Sequence, residues 1–175
     1  MVEQLPPVQG PVAPAWTGLI KTRKGVEVNE KVPFPPGLTV VKNFNFTKRN
    51  PDDVAKDRAK FNSSLRGEWL GGLCNDPAQE AALRAAGMND ADIQDIKDGL
   101  VPDGYQVHHK RPLDDGGTNT PSNYVLIKND PYHIALTALH NSQCRDIAPG
   151  TTKVLDWPEP QGIVYPPGTA PAPAA

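Results

Sequence analysis

The placement of its prolines constrains this chain most. There are twenty in 175 residues, crowded into Leu5–Pro36 and Trp157–Ala175. Proline lacks a backbone N–H and clashes inside a helix, so such stretches disfavour helices and central strands. They predict an extended, loosely packed lead-in over residues 1–45 and a similar tail over 149–175, with the functional domain between them at 46–148. Elsewhere proline serves differently. Asn50-Pro51, Asp76-Pro77 and Asp130-Pro131 each place a side-chain acceptor just before a proline. That pair opens a helix, because the acceptor takes an orphan N–H and proline has none to leave unpaired.

Behind the first pair, Asp52–Leu73 carries apolar residues at helical spacing, although Gly67, Gly71 and Gly72 blur its end. Behind the second, Ala78–Ala86 closes at Gly87, and Asp90–Asp98 runs from a cap at Asn89 to Gly99. The span 51–99 is therefore expected to be helical. Before it, Leu38–Val41 reads as a short strand. After Pro102-Asp-Gly104 the period changes: Tyr105–His109 alternates like a strand, and residues 113–122 are rich in turn formers. Tyr124–Ile127 is a second strand and Pro131–Asn141 a third capped helix. The fold class expected is α+β: a helical part, then strand, loop, strand and helix over 105–141, between proline-rich irregular ends.

With 38% hydrophobic and 22% charged residues, the chain suits one ordinary core. It has no run of about 18 apolar residues to span a membrane, and its first residues do not read as a secretory signal. Cys74 and Cys144 are too few and too separated for a Cys-x-x-Cys metal site, and read as two buried thiols. Charge is uneven: residues 21–66 carry eleven Lys/Arg against five Asp/Glu, and 67–175 carry seven against fourteen. The basic half suits phosphate binding, or is an ordinary solvated face.

All four histidines fall within 33 residues: His108 and His109 adjacent, then His133 and His140. Phosphodiester hydrolysis needs a divalent cation to stabilise the leaving oxyanion and a base to deprotonate water. Neutral imidazole does either job. His108 at a strand end and His133 at a helix start can meet if that helix folds across the hairpin, which leaves His109 for the water. Strict alternation would put His108 and His109 on opposite faces, so the strand is expected to end or twist at this pair.

His108-His109-Lys110-Arg111-Pro112, Gly116-Gly117, Asn123 and His133 resemble the HNH motif of ββα-metal nucleases. The resemblance covers residues 107–140 and lies nearest the DNase domains of colicin-type bacteriocins and secreted antibacterial effectors. It implies that His108 and His133 ligate one divalent metal ion (Mg, Zn, Ni or Mn). It implies that His109 is the general base and that Asn123 orients the loop and through it the base histidine, although in some relatives the matching Asn sits at the metal instead. Lys110 and Arg111 would hold substrate phosphate, with Arg111 also stabilising developing charge; the alternative is a solvated strand end. Colicin-type domains carry another ligand histidine one turn beyond His133, where this chain has Thr137. His140 lies about 10.5 Å further up the helix axis, so the expectation is a two-histidine site completed by waters and phosphate, with His140 capping the helix end.

The resemblance further implies an endonuclease cutting DNA with low sequence preference, an antibacterial toxin delivered into a target bacterium. A cognate immunity protein would be its partner, a secretion apparatus its carrier, and the target cytoplasm its place of action. A phage- or restriction-type endonuclease and a non-catalytic, metal-clipped nucleic-acid-binding module are the competing readings.

Overall fold

The computed structural model describes residues 16–21, 27–32 and 34–168. Residues 1–15 and 169–175, the outermost parts of the expected lead-in and tail, lie outside that set. Strands β1 (Trp16–Lys21) and β2 (Glu27–Val32) pair antiparallel. β3 spans Leu38–Thr47 and extends well past the four-residue strand expected there.

Asn50 opens α1 (Pro51–Lys60) by accepting the Asp52 N–H at 2.9 Å. The helical run continues through a π-helical turn, Phe61–Leu65, into α2 (Arg66–Leu73). Asp76 opens α3 (Pro77–Ala85) through the Ala78 N–H, and a reciprocal Asn89–Asp92 pair opens α4 (Asp90–Lys97). Glycine at 67 has a packing role. A Cβ at Gly99 would sit 2.8 Å from the Gly67 carbonyl oxygen, so α2 and the end of α4 meet backbone to backbone. Of the glycines that blurred the helix end in the sequence, Gly67 and Gly71 are the ones that face this contact.

β4 (Tyr105–His109) and β5 (Tyr124–Lys128) form an antiparallel pair, in register from Tyr105↔Lys128 to His109↔Tyr124. A π-helical turn, Asn129–His133, leads into α5 (Ile134–Cys144). Here the expected cap fails. Asp130 is extended (φ −107°, ψ 123°) and makes no capping bond among the described residues; its neighbour Asn129 instead bonds His133. β6 (Thr152–Pro160) pairs antiparallel with β3, and β7 (Val164–Tyr165) adds parallel to β5. The chain is thus mixed α+β.

The loosely packed ends expected from the prolines are not what the described residues show. Val32, Phe34 and Leu38 are buried together with Tyr165, whose hydroxyl donates to the Pro35 carbonyl at 2.7 Å. Pro158 and Pro160 fit within β6 because it belongs to a two-stranded sheet, where proline on an edge strand leaves no ladder partner wanting. Residues 34–47 and 152–165 are therefore part of the folded unit: the boundary expected at 45 falls inside β3, and the one at 149 leaves β6 and β7 outside the domain they pair with.

β5 is the spine. Val125 and Ile127 pack one way, onto Ala135 and Leu136 of α5. Leu126 packs the other way, among Leu70, Leu73, Ile93 and Ile96 of α2 and α4. Tyr124 through Ile127 are all 2% exposed or less, and each such side chain stabilises the fold by roughly 1.5–3 kcal/mol. A continuous apolar run is what a strand covered on both faces requires. This layering fixes where the histidines go.

Candidate functional site

Hydrogen-bond pairing between β4 and β5 continues unbroken through His109↔Tyr124. The expectation that the strand ends or twists at the histidine pair is therefore corrected: alternation holds, and the two rings take opposite faces. His108 lies on the α5 side, its ring 5.5 Å from that of His133 and nearly perpendicular to it. His109 lies on the helical side, 4.5 Å from the Phe61 ring and 5.1 Å from Tyr124. Both residues nonetheless line one cavity of about 700 Å³, together with His133 and His140.

The His108 Nε2 atom is buried and has no hydrogen-bond partner among the described residues. Burial, reinforced by His133, pushes its pKa down to about 3, so the ring is neutral with its lone pair available. Opposite it, His133 Nδ1 lies 3.1 Å from Asn129 Oδ1. An amide oxygen only accepts, so Nδ1 carries the proton and Nε2 keeps its lone pair. Burial also lowers the pKa of His133. Two adjacent neutral imidazoles, one with an orphaned buried nitrogen, fit a divalent cation of the borderline type. Among the described residues no three His, Cys, Asp or Glu side chains are grouped for a metal.

His109 is buried, and burial lowers its pKa; a hydrogen bond with Asn119 works against that shift and the charge of Arg58 adds to it. Its Nε2 sits 3.0 Å from Asn119 Oδ1. Asn123 holds the loop that follows. Its Oδ1 accepts the Arg111 N–H at 2.8 Å, and its Nδ2 donates to the carbonyls of Arg111 and Thr118 at 2.9 and 3.0 Å. The glycine pair completes the turn: Gly116 sits at φ +82°, and a Cβ on Gly117 would collide with the carbonyl oxygens of Arg111 and Pro112.

The structure does not bring Lys110 and Arg111 to the histidines. Arg111 donates to the Asp115 carboxylate at 3.1 Å and stacks 5.1 Å from the Phe44 ring centroid. Lys110 is half-buried outside the cavity, where burial lowers its pKa and Glu159 opposes the shift. The cations that line the cavity are Lys48, Arg49 and Arg58. Lys48 pairs with Asp114 at 3.1 Å and Arg49 with Asp57 at 2.8 Å. Arg58 is exposed and has no ion-pair partner among the described residues. His140 is not a helix-end cap. Its Nε2 stands 3.2 Å from the Asp114 carboxylate, and its ring packs on Phe46 and Trp157. Burial works to raise the Asp114 carboxyl, but contacts with His140 and Lys48 outweigh it and hold the pKa below the usual range.

Sequence reasoning missed Asn119 and Arg58. Asn119 sits in a loop rich in turn formers, so nothing singled it out. Arg58 had a usable signal: Pro51, Val54, Ala55 and Arg58 share one helical stripe, and all four line the cavity.

These features define a mixed α+β protein with a histidine-lined cavity at the end of its central hairpin. No family model matches the chain, and no solved structure matches it. It is similar to the uncharacterized protein YhhZ of Escherichia coli (strain K12), with 39% identity over 122 residues. That match covers 70% of this chain and 30% of the relative, so the chain spans under a third of that protein's length. No helix among the described residues is long and apolar enough to cross a membrane.

Proposed function

We propose that this chain is a divalent-metal-dependent endonuclease of the HNH type, hydrolysing DNA phosphodiester bonds with little sequence preference. In this reading β4, β5 and α5 are the ββα-metal unit. The observation that carries it is the orphaned Nε2 of His108, buried beside His133, in a cavity that also holds His109.

When bound between His108 and His133, the metal supplies positive charge to the phosphate and the departing oxygen. His109, neutral at working pH, takes the proton from the attacking water. Asn123 fixes the loop on which the strand end depends. Arg58, uncommitted to any carboxylate among the described residues, neutralises a substrate phosphate at the cavity wall, a role expected from the sequence for Lys110 and Arg111. Backbone contacts of this kind carry no sequence information, which supports weak base preference. The resemblance of residues 107–140 to colicin-type and effector DNases extends the proposal to an antibacterial toxin, delivered into a target cell and countered by an immunity protein.

Supercoiled plasmid incubated with wild type and His109→Ala, with divalent metals or EDTA, tests the activity. Nicked or linear plasmid from wild type alone, abolished by EDTA, supports the proposal. Equal cleavage by His109→Ala overturns it.

A further inference from the structure

Asn119 lies in the loop between β4 and β5, and its amide is gripped at both ends. Nδ2 donates to the Asp57 carbonyl oxygen at 2.8 Å. That oxygen also receives the Phe61 N–H, so both of its lone pairs are engaged. The amide is thereby oriented with its oxygen toward His109. Oδ1 accepts from the Tyr124 hydroxyl at 3.4 Å and faces His109 Nε2 at 3.0 Å. Since Oδ1 cannot donate, Nε2 must carry the proton, and the lone pair of the neutral ring is on Nδ1. Nδ1 has no hydrogen-bond partner among the described residues and is not sealed from solvent, and His109 lines the cavity.

An imidazole has a broad, roughly two-fold preference about its last torsion and could present either nitrogen. Here Phe61 and Tyr124 flank the ring, and among the described residues only Asn119 distinguishes its two edges by hydrogen bonding. We propose that Asn119 is a positioning residue for His109, holding it as the Nε2–H tautomer with Nδ1 turned to the cavity as the atom that takes the proton from water. This rests on the nuclease reading of His109. The water oxygen forms the new bond to phosphorus, and its proton goes to Nδ1. The scissile P–O bond breaks with its electron pair on the leaving oxygen, which is then protonated by solvent. The positive charge gained by the ring strengthens the Nε2–H···Oδ1 bond, so the contact favours the state in which the proton has moved.

Asn119→Ala and Asn119→Asp test this by plasmid cleavage at saturating metal. Asn119→Ala is expected to lower kcat about 10- to 100-fold, with KM for plasmid and metal affinity unchanged. Asn119→Asp keeps an acceptor for Nε2 but gives up the tie to Asp57, and is expected to recover most of the rate. If Asn119 only braces the loop against α1, Asp fails as badly as Ala, and the proposal is overturned. Nitrogen-15 spectra of metal-free protein give a reading independent of activity. Wild type and Asn119→Asp should show an exchange-protected His109 Nε2–H that Asn119→Ala lacks. A proton found on Nδ1 in wild type overturns the proposal even if cleavage is robust. Wild type inert with every metal, yet with the expected Nε2–H signal, overturns the nuclease reading and with it any role in proton transfer, while the tautomer assignment stands. Should Asn119→Ala fail to fold, the wild-type spectrum and the Asn119→Asp rate still decide.

Discussion

Lowering the pH from 7 to 5 in metal-free protein should cost stability, and His108 sets the scale. Burial, with help from His133, takes its pKa from 6.5 to about 3. A histidine whose folded pKa lies below its unfolded value is protonated first in the unfolded chain. Stability is therefore full above about pH 6.5 and is lost as the pH falls toward 3. At pH 5 the unfolded residue is almost fully charged while the folded one remains neutral, a penalty of about 2 kcal/mol relative to pH 7. His109 and His133, also lowered by burial, add to the loss. Asp115, raised mainly by burial, works in the opposite direction, and depressed Asp114 matters only at lower pH. Urea denaturation at both pH values, on wild type and His108→Gln in EDTA, isolates the His108 share. The variant's pH dependence should be shallower by about 2 kcal/mol, or about 4–8 °C in Tm at this chain length. Equal pH dependence in variant and wild type would refute the burial argument.

Other outcomes follow from the same geometry. Zinc at one hundred times its Kd should stabilise the wild type by about 2.7 kcal/mol, and differential scanning calorimetry should show that gain lost in His108→Ala and in His133→Ala. Gly117→Ala should destabilise the fold by more than about 3 kcal/mol, read by denaturation, because its Cβ has no space beside the Arg111 and Pro112 carbonyls. Arg58→Ala in a His109→Ala background should bind duplex DNA more weakly. Fluorescence anisotropy should give a salt dependence shallower by about 0.9 in the log–log slope, whereas Lys110→Ala should leave it unchanged.

The sequence made local structure legible wherever a backbone rule acts within a few residues. Asn50, Asp76 and Asn89 cap their helices as expected, because a cap bond closes over two or three residues. β4 and β5 were legible from alternation and a short apolar run. Long-range pairing was not. The partnership of β3 with β6 joins residues more than a hundred apart, and the proline content led to the expectation of loosely packed ends because no local rule reveals such a partner. For the site, the proximity of His108 and His133 and the loop-holding role of Asn123 were accessible through spacing and resemblance. The cations were misassigned because Arg111 follows the histidines in sequence yet faces Asp115 and Phe44. Asn119 stayed hidden because its role depends on the Asp57 carbonyl, 62 residues upstream.

The most direct test of the account is X-ray absorption at the metal edge of zinc-loaded protein. Two imidazole nitrogens at about 2.0–2.1 Å from the ion, reduced to one in either His108→Ala or His133→Ala, is the result expected. An ion with no histidine nitrogen, or a spectrum indifferent to both substitutions, would contradict it.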